Sequence, residues 1–248
     1  MSDSWPPRLW LSRPLAVLDC ESTGVDPQTA RIVQLAFVRV LPNGSIDPTS
    51  SLCTLVNPGV PIPPEATAVH GISDDHVSSP AVPDTRTALG MLSERIGWSW
   101  EAGDCLAVMN APYDLPLVAA EWSRAGAGAM PWTHPVLDPL VMDRHLDRYR
   151  KGRRNLSALC QHYGVPLAEA HDARADAIAT AGVVRAISFQ YPSIARMAPR
   201  ALHAAQVGWY REWRDGINAY WARSGDQRRV DGEWPGVPAW AAPMRDGD

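Results

Sequence analysis

The chain has 248 residues, 46% hydrophobic and 20% charged, a globular make-up with room for one α/β domain and an extension, or for two small domains. Its formal net charge is −4. That excludes a uniformly basic nucleic-acid-binding surface, so any polyanion site must be a local patch.

No apolar run approaches the ~18 residues of a membrane span, and the opening residues lack the charged-then-apolar layout of an export signal. The expectation is a cytoplasmic protein without a membrane partner, opening with an irregular lead-in over residues 1–13. Cys20, Cys53, Cys105 and Cys160 show no C-x-x-C spacing and are expected as reduced core thiols.

In chain order, the first predicted element is a buried strand over Leu15 to Asp19, LAVLD. A turn at Gly24, Asp26 and Pro27 leads to a second strand, Arg31 to Val40. Asn43-Gly44 signals a hairpin, and Leu52 to Val56 makes the third strand. PGVPIPPE is loop, followed by a short helix over Glu65 to His70. Asp84 caps a helix running to about Ile96. Cys105 to Met109 is a strand, after which Asn110-Ala-Pro112 opens a helix ending near Arg124. Val136 to Val141 is a fifth strand. Asn155 caps a helix that ends at Gly164, and Asp172 caps another reaching Phe189. Helices follow strands only in the second half, which predicts an α/β fold with a mixed sheet and helices packed on it. After Pro192 the composition shifts. Trp209, Tyr210, Trp213, Tyr220 and Trp221 mark a helical extension that is expected to fold back onto the preceding domain, and Pro235, Pro238 and Pro243 mark an irregular tail.

Three segments carry the candidate chemistry. Asp19-Cys20-Glu21 places two carboxylates on one face of a strand end, an arrangement that favours a cation between them. Ser22, Thr23 and Gly24 follow with hydroxyls and backbone amides suited to a phosphate or sugar. Asn110-Ala-Pro-Tyr-Asp114 puts an acid in the first turn of a helix, again after a buried strand. His171-Asp-Ala-Arg-Ala-Asp176 puts Asp176 one turn into a helix whose neighbours Ile178, Ala179 and Val183 are apolar, so the acid needs a partner there.

The order LDCESTG, NAPYD, HDARAD resembles the DEDDh exonucleases, the family that includes the proofreading subunit of bacterial replicative polymerase, ribonuclease T and oligoribonuclease. AVHGIS (Ala68 to Ser73), VLDPLVMDR around Asp138 and NLSALCQHYGV also fit, and the likeness spans residues 14 to 190. The resemblance implies a ribonuclease H-like mixed β-sheet flanked by helices over residues 14–192, with residues 193–248 as an aromatic-rich extension and tail. It also implies two divalent ions, Mg²⁺ or Mn²⁺, held by Asp19, Glu21, Asp114 and Asp176, with His171 as general base. Thr23, Gly24, His70, Asn110 and Tyr113 are the substrate-binding candidates. Where the family often has His before the Asn of the second motif, this chain has Met109.

The implied activity is 3′→5′ exonucleolytic release of nucleoside 5′-monophosphates from single-stranded nucleic acid, with DNA favoured over RNA. An exoribonuclease is the first alternative, and a proofreading subunit acting with a DNA polymerase through the aromatic C-terminal segment is the second. Arg144, Arg148, Arg150, Lys151, Arg153 and Arg154 form the one local basic run and are expected to track phosphates beside the site.

Overall fold

The computed structural model describes residues 9–126, 134–167 and 172–236. A 3-10 turn at Leu9–Ser12 leads into β1 (Leu15–Ser22), the central strand of a five-stranded sheet ordered β3-β2-β1-β4-β5. Strands β2 (Ile32–Val40) and β3 (Leu52–Leu55) extend it antiparallel. Strands β4 (Cys105–Ala107) and β5 (Val136–Leu137) extend it parallel. The sheet is mixed, as expected.

Alternation along β1 divides the core. Ala16, Leu18 and Cys20 join one apolar cluster with Leu89, Leu92 and Leu117 of α3 (Thr85–Ala102) and α4 (Ala111–Arg124). Leu15 and Val17 join a second with residues of α6 (Leu156–Tyr163) and α7 (Ala173–Gln190). Helices thus cover both faces of the sheet. A small third cluster around Val33, Ile62 and Ile72 seats α1 (Pro64–His70) and α2 (Asp74–Val77).

Three expected boundaries shift. Strand β1 continues through Ser22, so Asp19 and Glu21 lie within a paired strand instead of at its exit. The expected strand Val136 to Val141 stops after two residues. The Asp138 side chain accepts from the Leu140 N–H and Pro139 takes the first helical position, so α5 (Pro139–Leu146) begins there. Helix α3 outlasts Ile96 and ends at Gly103 in the left-handed conformation. Among the four thiols, Cys20, Cys105 and Cys160 are buried, while Cys53 on β3 is exposed.

After α8 (Pro192–Arg196), helix α9 (Pro199–Ser224) returns to the sheet edge and lies against α5 and β5. The Gln206 amide donates to the Val136 carbonyl at 2.9 Å and accepts from the Asp138 N–H at 2.8 Å, so one side chain pairs the edge as a neighbouring strand would. The chain then crosses to α4. Trp234 is 2% exposed, and Gly236, at φ 88°, lies so near Pro112 that a Cβ would meet its Cα at 2.9 Å.

The Nδ1 of His203 accepts from the Val136 N–H at 3.0 Å, so this ring must be neutral, and burial lowers its pKa. Burial also pushes His134, stacked on Trp100, down to about 4. In the unfolded chain both titrate near ~6.5. Their contribution to stability is therefore complete above that pH and is lost as pH falls toward the folded values. The melting temperature is expected to drop between pH 7 and pH 5, and His203→Gln to flatten that slope. A slope unchanged in the variant would refute the assignment.

Candidate active site

Asp19 and Glu21 continue the row of Leu15 and Val17 on the α7 face of β1. Opposite them on β2 are Ala36 and Gln34, and a register shift follows immediately at Glu21/Ser22. Such irregularities re-aim side chains beside sites. Two contacts fix the start of α7. Asp172 caps it, accepting from the Arg174 and Ala175 N–H groups at 3.0 and 2.9 Å, and the Gln34 Oε1 accepts from the Ala173 N–H at 3.0 Å. This sets Asp176, in the first turn, against the strand. One oxygen from each of Asp19, Glu21 and Asp176 lies within 4.8 Å of the others.

Asp114 reaches the same strand from the opposite layer. It is 5% exposed in the first turn of α4, and its Oδ1 accepts from the Cys20 N–H at 2.9 Å, between the two β1 acids. It stands beside the three-carboxylate group, with its other oxygen outside that bond. Its helix is held from below by Asp138. This fully buried carboxylate accepts from the N–H groups of Asn110 (3.1 Å), Ala111 (2.9 Å) and Leu140 (2.9 Å) and from the Trp234 indole (3.0 Å). Asn110 takes the left-handed conformation, φ 61° and ψ 52°, that turns β4 into α4.

Burial, then mutual repulsion, sets the electrostatics. The Asp19 carboxyl is raised well above its usual range, first by burial, then by Asp114, Asp176 and Glu21. Glu21 is pushed up to about 8 by burial and by Asp176 and Asp114. Asp114 is raised to about 7 by burial, against the pull of its bond from Cys20. Asp19 and Glu21 form no ion pair with Lys or Arg among the described residues. A site of this kind stabilises a cation and disfavours several bare carboxylates.

The other candidates border this group. Thr23 closes a turn with Arg31, its N–H and Oγ1 both bonded to that residue's backbone at 2.9 Å. The Tyr113 hydroxyl bonds Ser22 Oγ and the Gly24 carbonyl, so it fixes the loop after β1. The His70 Nδ1 accepts from the Ile72 N–H at 3.0 Å, which leaves Nε2 as the donor to the Ser22 carbonyl at 3.3 Å. His171 lies outside the described residues. Gln34, which positions α7, is not among the residues the sequence motifs pick out, and Asp138, which positions α4, enters there only through the VLDPLVMDR likeness, without a role. A polar residue in the otherwise apolar strand RIVQLAFVRV was the available signal for Gln34. The N-cap pattern DP was the signal for Asp138.

The basic run divides. Arg150 and Arg154 both bind the buried Asp143, Arg150 at 2.7 Å, and the Arg144 guanidinium sits 3.5 Å over the Trp213 ring. These three cations have structural partners, so the part of the run open to a phosphate is narrower than its composition suggests. Arg148, Lys151 and Arg153 are exposed.

Comparison with known proteins agrees with this geometry. The RNase T exonuclease family model matches residues 16–184. A DNA polymerase III subunit epsilon-like protein of Rhodobacter capsulatus is 34% identical over 169 residues, covering 66% of this chain and 22% of that protein. DNA polymerase III PolC-type of Staphylococcus epidermidis is 30% identical over 166 residues, 66% of this chain and 11% of its own length. The chain thus spans less than a quarter of either relative. In fold, E. coli exonuclease I, solved with a dA16 oligonucleotide, superimposes with TM-score 0.58 at 18% identity over 74% of this chain and 42% of that one. Exonuclease X with 5′ overhanging duplex DNA gives TM-score 0.52 at 22% identity over 75% and 99%. The ribonuclease H-like sheet and its helices are shared with both. With the family model matching over most of the chain and the carboxylates of its three motifs gathered on β1, the chain belongs to the RNase T exonuclease family, of DEDDh type.

Proposed function

We propose that this protein is a metal-dependent 3′→5′ exonuclease that releases nucleoside 5′-monophosphates from single-stranded DNA. The observation carrying this reading is the meeting of Asp19, Glu21 and Asp176 within 4.8 Å, beside a buried Asp114. The donors are all carboxylate oxygens, which suit Mg²⁺ or Mn²⁺, and the crowding of buried carboxylates that raises Asp19 and Glu21 is a concentration of negative charge that a cation would relieve. Asp19, Glu21 and Asp176 would hold the ions, with Asp114 contributing through its second oxygen or through water. Bound divalent ions supply Lewis-acid stabilisation of charge on the phosphate and leaving oxygens. His171, by its place in the third motif, takes the proton of the attacking water. Asn110 and His70 border the terminal nucleotide, and Tyr113 holds the loop against which it rests.

Gly24 tests the substrate end of this reading. Its φ is not positive, and a Cβ there would meet only Ala30 Cβ at 4.0 Å. The fold itself therefore does not require glycine. Close approach of a nucleotide would. Gly24→Ala is expected to leave the melting temperature within ~1 °C and to raise KM for a single strand about tenfold, since ~1.4 kcal/mol is a factor of ten. An unchanged KM would remove Gly24 from the substrate site.

Polarity and sugar preference are read by end-labelling matched DNA and RNA strands at the 5′ or 3′ terminus. Ladders from 5′ label, immediate mononucleotide from 3′ label and faster decay of DNA are expected. Faster decay of RNA would establish the exoribonuclease alternative, because the catalytic carboxylates do not sense a 2′-hydroxyl. Relatives named as polymerase subunits, together with the aromatic α9, support a second reading, in which a polymerase is the physiological partner.

A further inference from the structure

A cleft of about 620 Å³ opens between α5, the loop after it, and α9, lined by Arg144, Arg148, Arg154, Trp209, Trp213 and Tyr220 among others. The volume lies in the range, about 300–1,000 Å³, of pockets that bury small ligands. We propose that this cleft and its rim bind the portion of a single-stranded nucleic acid that leads away from the carboxylate site, so that the strand is held at two places. The inference rests on the nuclease reading for its substrate class.

Charge is the first argument. In a chain of net charge −4, residues 143–154 hold six cationic side chains against two acidic ones. Asp143 is buried and bound by Arg150 and Arg154, and Asp147 pairs with Arg150 at 3.3 Å. Arg148 faces Glu212 across 3.7 Å with both side chains 62% exposed, a weak pair that a phosphate can displace. Lys151 and Arg153 have no acidic partner among the described residues. The surplus cations are therefore local and directed to solvent.

Ring geometry is the second. Trp213 lies under Arg144, and Trp209 stacks on His145 at 4.1 Å and 8°, so flat π surfaces are held rigidly in the wall. Tyr220, in the lining, is 58% exposed, and Tyr149, next in sequence to the lining residue Arg148, is 89% exposed. Exposed rings interleaved with cations are what unpaired bases and their phosphates bind, by stacking and charge without base readout. An acidic peptide would use the cations and leave the rings idle.

Continuity is the third. Helix α5 starts at Asp138, whose carboxylate also holds Asn110 and Ala111 at the start of the Asp114 helix. Eight residues of helix span about 12 Å, so the far end of α5, where the cleft opens, lies about that length from the anchor of the Asp114 helix.

The test uses the full chain and the triple variant Arg148→Ala, Lys151→Ala, Tyr220→Ala, all exposed positions, the first and last of them in the cleft lining. Turnover is compared on a 30-nucleotide single strand and on the p-nitrophenyl ester of thymidine 5′-monophosphate, which occupies only the carboxylate site. KM for the 30-mer is expected to rise about tenfold, with kcat and the ester unchanged, and the salt slope of binding to fall by about 1.4, at ~0.7 for each lost phosphate contact. Equal KM for the 30-mer would overturn the proposal. If the wild type hydrolyses neither substrate, the nuclease reading fails, and fluorescence anisotropy with the 30-mer in EDTA decides the cleft alone. Weaker binding by the variant would support it and equal binding would overturn it. Loss of polyglutamate binding with retained 30-mer binding would assign the surface to an acidic protein partner and also overturn it.

Discussion

Asp19→Asn is expected to lower nuclease turnover by on the order of 10³-fold while raising the melting temperature of the metal-free protein. Both effects come from one geometry. Asp19 is raised by burial and by four other carboxylates, so without a cation its ionisation opposes folding. Asparagine keeps the shape and removes the charge. The sign follows from linkage. A carboxyl whose folded pKa is raised gives full stability below its unfolded value, near ~3.9, and loses it as pH rises through the folded value. The variant's advantage should therefore grow from pH 5 to pH 8. A gain of about 1–2 kcal/mol corresponds to roughly 3–6 °C for a chain of this size. Mg²⁺ should stabilise the wild type by occupying the folded state and leave Asp19→Asn nearly unmoved. Thermal scans with EDTA and with Mg²⁺ read all of this. A metal-free variant less stable than wild type would contradict the account.

The second large effect is expected at Asp138. Its carboxylate receives four N–H groups from three segments, the start of α4, the start of α5 and the chain after α9. Alanine leaves those donors unsatisfied in a fully buried place, each at about 1–3 kcal/mol. Partial relaxation brings the expected loss to about 3–5 kcal/mol by urea denaturation. Activity should fall as well, because Asn110 and Asp114 depend on that anchorage. Trp234→Phe removes one donor and keeps the ring, so about 1 kcal/mol is expected. Wild-type stability in Asp138→Ala would show that α4 is positioned by other contacts.

The sequence announced the acids and left out what aims them. That Asp19, Glu21, Asp114 and Asp176 belong together was legible from the order of their motifs, which matches a known family, since each acid alone also has an ordinary reading as a solvated strand end or a helix-terminal charge. Asn155 and Asp172 were legible as caps because capping is local, and both accept backbone N–H groups as expected. Strand β5 was misjudged because apolar content alone cannot distinguish a strand from the first turn of a buried helix. Asp138 and Pro139 decided it, the first as the cap and the second as the opening residue of α5. Gln34 meets Ala173 across 139 residues, and Asp138 meets Asn110 across 28 and Trp234 across 96, and no local pattern encodes such partners. The basic run was legible only in part for the same reason. Its composition was plain, but the buried Asp143 and the ring of Trp213 that absorb three of its cations became visible only in three dimensions.

The central claim is that these carboxylates hydrolyse a single strand from its 3′ end with divalent metal. It is tested most directly by incubating wild type and Asp19→Asn with a 5′-labelled single strand, in Mg²⁺ and in EDTA. The account expects a ladder shortening from the 3′ end in wild type with Mg²⁺ and intact strand in the other three reactions. Digestion that survives EDTA, or that Asp19→Asn performs at the wild-type rate, would contradict it.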